Sequence, residues 1–120
     1  MRFRPEQHLR RPADFRALRA GGQRMDCGAF TLWWLRRTPP GGRAQPRVGV
    51  VASIAAVGPA VRRNRAKRRL REVFRHHQAL VPADCDLLLV ARAAVIRLDY
   101  AEVEQKFITA CRKIPPSPDA

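Results

Sequence analysis

Residues 84–91 read DCDLLLVA, and this short run decides how the chain can fold. From Leu87 to Ala91 every residue is apolar, so both faces of a strand built on it would be apolar. Such strands are typical of sheets whose two faces are both covered. We therefore expect residues 84–91 to form a strand that is buried on both faces.

Two further strands are predicted upstream of this run. They are residues 29–37, AFTLWWLRR, and residues 47–53, RVGVVAS, both rich in apolar residues. Residues 38–46 between them are rich in proline and glycine, which is typical of a loop. We expect the two strands to pair antiparallel across this flexible connection. Because side chains alternate along a strand, Trp33 and Trp34 are expected on opposite faces.

Three helices are predicted from capping residues and apolar spacing. The first covers residues 12–19 and ends before two consecutive glycines. The second is long and basic, and Gly58 and Pro59 open it. The third begins at Asp99, which has the D-x-x-E spacing of a capping box with Glu102.

The order of these elements, α-β-β-(β)-α-β-α, predicts an α+β fold. It is a two-layer α/β sandwich in which helices pack on a small mixed sheet. With 120 residues we expect a single domain over residues 1–120. Residues 1–11 are expected to be a basic arm, and residues 115–120 a flexible tail.

The charge balance indicates the class of partner. Lys and Arg total 24 against 10 Asp and Glu, giving a net charge of +14, and the pI is about 11.6. A polyanion is the natural partner, either nucleic acid or an anionic membrane. No stretch approaches the roughly 18 apolar residues of a membrane span, and no signal-peptide pattern is present, so we expect a cytoplasmic protein. The three cysteines suit reduced thiols, and no zinc-site spacing is found.

Half of the net charge lies in residues 61–75, VRRNRAKRRLREVFR, with eight basic side chains and one acid. A stripe on one side of this helix is expected to face the core: Ala66, Leu70, Val73, Phe74 and His77. The rest of the circumference is almost wholly basic, although like charges three or four residues apart destabilise a helix by about 0.2 to 0.5 kcal/mol per pair. A solvated surface helix normally mixes both signs, so nucleic acid is favoured. A membrane is disfavoured, because the apolar stripe is needed by the fold.

The paired tryptophans suggest a second surface. If one of them is exposed on the sheet beside the basic helix, it could stack on unpaired bases. The alternative is ordinary packing beneath a helix, and the residues alone leave both open.

Residues 63–68, RNRAKR, followed by Arg71, resemble the RNR motif, R-N-R-x-K-R-x-x-R, of the protein subunit of bacterial ribonuclease P. Four weaker features of that family agree in order and approximate spacing. They are Asp14-Phe15, Phe30-Thr31-Leu32-Trp33, Arg47-Val48-Gly49 and Gly58-Pro59-Ala60-Val61. The resemblance covers about residues 9–113.

The resemblance implies the subunit of an endoribonuclease that removes the 5′ leader of precursor tRNA. Hydrolysis would be performed by metal ions, Mg²⁺, held by the catalytic RNA, and the protein itself would hold neither metal nor cofactor. The partners would be that RNA, bound 1:1 by a monomeric protein, and precursor tRNA. The implied fold is like domain 2 of ribosomal protein S5, with a left-handed β-α-β crossover.

The resemblance also assigns binding residues, and no catalytic ones. The catalytic RNA would be bound by Arg63, Asn64, Arg65, Lys67, Arg68 and Arg71. The leader of precursor tRNA would be bound by Phe15, Arg19, Thr31, Trp33 and Arg47.

Three departures from the family pattern affect this assignment. The basic pair that usually follows the serine of the second strand is absent, since Ser53 is followed by residues 54–56, IAA. Arg19 stands where the family has a second aromatic, and Pro59 replaces the usual asparagine, which removes a possible cap.

Two other functions remain open from the residues alone. One is a structural RNA-binding protein, such as a ribosomal protein or RNA chaperone, without processing activity. The other is sequence-specific DNA binding, which is the least favoured of the three functions, because no second helix lies a tight turn from the basic one.

Overall fold

The structure is a computed structural model that describes residue 9, residues 12–37 and residues 45–116. Its described strands form one mixed sheet: β1 (Gln23–Asp26), β2 (Phe30–Arg36), β3 (Arg47–Val51) and β4 (Cys85–Ala91). The order across the sheet is β1-β2-β4-β3. β4 is antiparallel to β2 and parallel to β3, so the predicted mixed sheet is confirmed.

The strand predicted to be buried on both faces is central. β4 has hydrogen-bonded neighbours on both sides, and its residues 85–89 are all buried. The prediction that β2 and β3 pair antiparallel is wrong, because β4 lies between them. A strand at the centre of a sheet has more of its surface removed from water than an edge strand. The most apolar strand is therefore most stable at the centre, which explains this order. The intervening loop, residues 38–44, lies outside the described part of the chain.

Five helices are described: α1 (Pro12–Gly21), α2 (Ile54–Val57), α3 (Ala60–His77), α4 (Ala94–Arg97) and α5 (Tyr100–Arg112). A 3₁₀ turn, Gln78–Leu80, follows α3. α3 carries the chain from β3 to its parallel neighbour β4, which is the β-α-β unit that the resemblance implies, while its hand stays a prediction. The predicted order allowed a third strand before α3 without placing it, and the polar strand β1 completes that set of three. The single-turn helices α2 and α4 were not expected, because each is too short for a clear pattern.

Two predicted helix starts can be compared with the structure. Asp99 is the N-cap residue of α5, but its side chain makes no capping hydrogen bond, so the predicted capping box is wrong. The backbone carbonyl of Asp99 instead accepts from the N–H of Glu102 at 3.0 Å. Pro59 is the N-cap residue of α3 and offers no side-chain cap, as expected from its replacement of asparagine.

The main core lies between one face of the sheet and helices α3 and α5. Phe30 and Phe107 pack there with tilted rings whose centroids are 6.5 Å apart. Around them are fully buried side chains from both layers, which confirms the predicted sandwich: Leu32, Leu70, Val73, Phe74, Leu87, Leu89 and Val103.

The other face of the sheet is partly covered by α1. Leu18 of α1 and Leu9 pack there against Leu88 of β4. The N–H of Leu9 donates to the carbonyl of Val48 at 2.9 Å, which attaches this residue to the edge of β3. The rest of the predicted arm, and residues 117–120 of the predicted tail, lie outside the described residues.

Candidate nucleic-acid interface

The apolar stripe of α3 fixes which side of this helix faces solvent. Ala66, Leu70, Val73 and Phe74 are completely buried, as predicted. His77 is half-buried at the end of the stripe, and its Nε2 lies 2.8 Å from Oε2 of Glu104 on α5. The opposite side of this 18-residue helix, about 27 Å long, is therefore available to a partner.

The residues of the predicted RNR motif lie along that outer side. Asn64, Arg65, Arg68 and Arg71 are exposed. Arg63 and Lys67 are half-buried at the flanks of the helix. The structure thus brings the predicted RNA-binding residues to one surface, which we call the α3 surface and define as residues 62–65, 67, 68, 71, 72 and 75.

A shallow depression of about 400 Å³ lies on the α3 surface. It is lined by Asn64, Arg68, Arg71, Glu72 and Arg75. Glu72 accepts a hydrogen bond from Nη2 of Arg75 at 2.8 Å, and this bond is the main cause that lowers the pKa of the Glu72 carboxyl. Three guanidinium groups and one carboxylate thus line the depression, and the excess positive charge suits an anion.

The charge pattern suggests that Arg69 is available to a partner, but in the structure its guanidinium is hydrogen-bonded within the fold. Arg69 is one of the basic residues outside the apolar stripe, but its Nη1 donates to the carbonyls of Val95 at 3.0 Å and Leu98 at 2.6 Å. Arg69 therefore ties α3 to α4, and its side chain is committed to the fold.

A second surface lies on the face of the sheet that α1 covers. The strand register puts Arg24, Trp33, Leu88 and Gly49 in one row across β1, β2, β4 and β3. Phe15 of α1 lies directly over Gly49, since a Cβ at this glycine would be 2.5 Å from Cε1 of Phe15. Phe15 and Trp33 are both half-buried in this cluster. We call these two rings, with Leu88 and Gly49 beneath them, the aromatic platform.

Trp34 does not belong to the aromatic platform. It packs against the main core on the other face of the sheet. The guanidinium of Arg36 lies over its ring, 5.5 Å from the centroid, and Arg36 is held by Asp84 at 3.0 Å. The predicted opposite orientation of the two tryptophans is confirmed, and Trp33 is the one on the α1 side.

The remaining predicted leader-binding residues have different surroundings. Arg19 is exposed on α1, whereas Thr31 is only 6% exposed. Arg47 donates through Nε and Nη2 to Asp86 at 2.8 and 2.7 Å, and this bond raises the pKa of Arg47. Arg37 donates to the same carboxylate at 2.6 Å. Arg47 therefore presents only the third of its side chain that stays exposed.

The two surfaces lie on opposite faces of the sheet rather than side by side on one face. The sequence suggested an aromatic next to the basic helix, and the structure places the sheet between them. The edge strand β3 contributes to both faces, since Val48 packs in the main core and Gly49 lies under Phe15.

Comparison with known proteins identifies the family. The family described as Ribonuclease P matches residues 3–115 of this sequence. The chain belongs to the ribonuclease P protein family. The ribonuclease P protein component of Desulfovibrio desulfuricans is 38% identical over 108 residues, which is 88% of this chain and 81% of the relative. That of Thermobifida fusca is 38% identical over 114 residues, covering 92% and 77%.

Solved structures agree with this membership. The ribonuclease P protein from Thermotoga maritima matches with a TM-score of 0.77 at 26% identity, over 90% of this chain and 97% of that one. The Staphylococcus aureus ribonuclease P protein shows the same fold, with a TM-score of 0.74 at 21% identity, over 90% and 96%. None of the helices in the described residues is long and apolar enough to cross a membrane.

In this ribonuclease P protein, two residues of the depression were not among the predicted site residues. Arg75 follows Arg71 by one helical turn, so spacing alone would have placed it on the same surface. Glu72 was known from the sequence as the single acid of the helix, but its bond to Arg75 became visible only in the structure.

Proposed function

We propose that this chain, as the protein subunit of ribonuclease P, binds the catalytic RNA through the α3 surface and the 5′ leader of precursor tRNA through the aromatic platform. The observation that carries the proposal is the α3 surface. In the described part of the chain Glu72 is its single carboxylate, and the exposed Arg62, Arg65, Arg68 and Arg71 are grouped on one helix.

A structured RNA suits the α3 surface for two reasons. Arginine binds phosphate with a fork of donors, which a point charge such as lysine cannot do. Binding also relieves the repulsion between like charges on α3 and that between Arg62, Arg63 and the positive end of the helix dipole.

A single-stranded RNA suits the aromatic platform. Stacking of a base on an aromatic side chain contributes about 1 to 3 kcal/mol and tolerates any base. Such a site fits leaders that differ in sequence. Phe15 and Trp33 offer half-exposed rings held in place by the apolar cluster around Leu88.

The chemical step is assigned to the RNA subunit and its Mg²⁺ ions. The carboxylates of Asp26, Asp84, Asp86 and Glu72 are each paired with an arginine. A paired carboxylate is less available as a general base or metal ligand, and this supports a role for the protein in affinity rather than in the chemical step. The presence of one α3 surface on the described chain supports a complex of one protein with one RNA.

The test is reconstitution with a bacterial ribonuclease P RNA. Cleavage of precursor tRNA is measured at low Mg²⁺ with and without the protein, and we expect the protein to stimulate it. RNA binding without stimulation would instead support the structural RNA-binding function and would contradict our proposal.

Two variants separate the two surfaces. Arg65→Ala should weaken binding of the catalytic RNA and lower the salt dependence of that binding, since one phosphate contact is lost. Arg112→Ala on α5 is the matched control, because it removes the same charge at an exposed position away from α3. Trp33→Ala should weaken the binding of precursor tRNA more than that of mature tRNA. Equal losses of affinity would show that Trp33 acts only in the core.

A further inference from the structure

We propose that Arg24 of β1 binds a phosphate of the precursor leader and so extends the aromatic platform to the edge of the sheet. This inference rests on the proposed function. It adds a residue that sequence patterns did not single out, because the polar segment QRMD was not expected to form a strand.

The strand register places Arg24 beside the exposed part of the platform. Arg24 pairs directly with Trp33 across the antiparallel β1 and β2 strands, so both side chains leave the sheet on the same face. Directly opposed residues have Cβ atoms about 4.5 to 5.5 Å apart. A base stacked on Trp33 would therefore bring its phosphate within reach of the Arg24 guanidinium.

The charge of Arg24 is not used within the described protein. Asp26, two residues along β1, is taken by other groups: it accepts from the N–H of Gly28 at 2.9 Å and pairs with Arg92 at 3.3 Å. The hydrogen bond from Gly28 is the main cause that lowers the pKa of Asp26, and Arg24 contributes through its charge without a hydrogen bond. Among the described residues no hydrogen bond or ion pair engages Arg24, and its side chain is exposed.

The two arginines at the ends of the platform differ in this respect. Arg47, at the β3 side, already holds Asp86 with two donors. Arg24, at the β1 side, makes no hydrogen bond or ion pair with the residues that the structure describes. From Gly49 under Phe15 to Arg24 there are three strand-to-strand steps, or about 14 Å, so an extended single strand can cover both rings and this guanidinium. The leader is thus expected to run across the strands, from Phe15 over Trp33 to Arg24.

The experiment measures the affinity of the reconstituted holoenzyme for precursor and mature tRNA over a range of salt. Arg24→Ala should weaken the binding of precursor tRNA about three- to fivefold, as expected for the loss of one exposed charge pair. The affinity for mature tRNA should stay unchanged. The slope of log affinity against log salt should fall by about 0.7, the value for one phosphate of a single strand. Arg24→Lys should keep that slope, and Arg112→Ala should behave as wild type. The Arg24→Ala penalty should also vanish when the leader is shortened until it no longer crosses the platform.

Each other outcome overturns the inference. Equal losses for precursor and mature tRNA, or a loss no larger than that of Arg112→Ala, would show that Arg24 does not contact the leader. If Trp33→Ala still discriminates between the two tRNAs in that case, the proposed function stands and only the role of Arg24 falls. If the wild-type holoenzyme binds both tRNAs equally, the leader site itself is wrong.

Discussion

Gly49→Ala is expected to displace Phe15 and so to test the aromatic platform without touching a ring. The added Cβ would lie 2.5 Å from Cε1 and 3.0 Å from Cζ of Phe15, and 3.3 Å from Cβ of Leu9. Carbon atoms pack best at about 3.5 to 4.0 Å, so the ring has to move by about 1 Å or more. Overpacking of this kind costs about 1 to 3 kcal/mol.

The cost can be read from thermal and urea unfolding. For a chain of 120 residues, each kcal/mol lowers Tm by about 3 to 6 °C, so the variant should melt roughly 3 to 18 °C below wild type. Gly21→Ala is the control, because its Cβ would meet only Cδ1 of Leu35 at an ordinary 3.9 Å. In reconstituted enzyme, Gly49→Ala should also lose part of the preference for precursor over mature tRNA.

A double-mutant cycle shows whether Phe15 is the residue that moves to accommodate the new Cβ at position 49. In the background of Phe15→Leu the ring is gone, so Gly49→Ala should cost less than it does alone, with a coupling of about 0.5 to 3 kcal/mol. Additive losses, or a Gly49→Ala protein as stable as wild type, would refute the close approach of α1 to β3.

Three further predictions concern the rest of the molecule. Asp86→Ala leaves two partly buried arginines without their shared carboxylate and should lower the free energy of unfolding by about 3 kcal/mol; a loss below about 1 kcal/mol in urea titrations would mean that solvent already screens the network. Arg69→Ala should lower the free energy of unfolding by about 1.5 to 3 kcal/mol, because two hydrogen bonds to carbonyls are lost, and should change RNA affinity little. Arg68→Ala should lower RNA affinity and change stability little. RNA binding and unfolding measured on both variants test this contrast. Burial raises the pKa of Cys85 to about 11 and that of Cys111 to about 12, so both should resist alkylation at pH 8 until the protein unfolds, and fast labelling of either in native protein would contradict their burial.

The long, strongly patterned elements were predictable from sequence. The apolar run of β4 and the stripe of α3 both lie where their periodicity put them, because a strand or helix with that much apolar surface has few ways to bury it. The family resemblance was predictable too, since it rests on contiguous residues of one helix. The short helices α2 and α4 were missed, and the optional third strand was not placed at β1, because four residues carry no period.

Pairing was the part that local patterns could not determine. Residues 29–37 and 47–53 were expected to pair because they are neighbours along the chain. The structure inserts β4 between them, and a strand that arrives through α3 from far along the sequence leaves no local sign of its place. The same limit applies to the side chains of Arg47 and Arg69, whose partners are 39 residues away in one case and 26 and 29 in the other.

The sequence by itself determined that this chain is a small basic α+β protein with one strongly basic amphipathic helix, because charge and periodicity are properties of consecutive residues. Only the tertiary structure decided which cations stay available and which tryptophan faces α1. It also brought Arg24 to the side of Trp33 and Phe15 onto the bare backbone of Gly49. These contacts depend on strand order and register, which are set by the burial of the whole sheet rather than by any one segment.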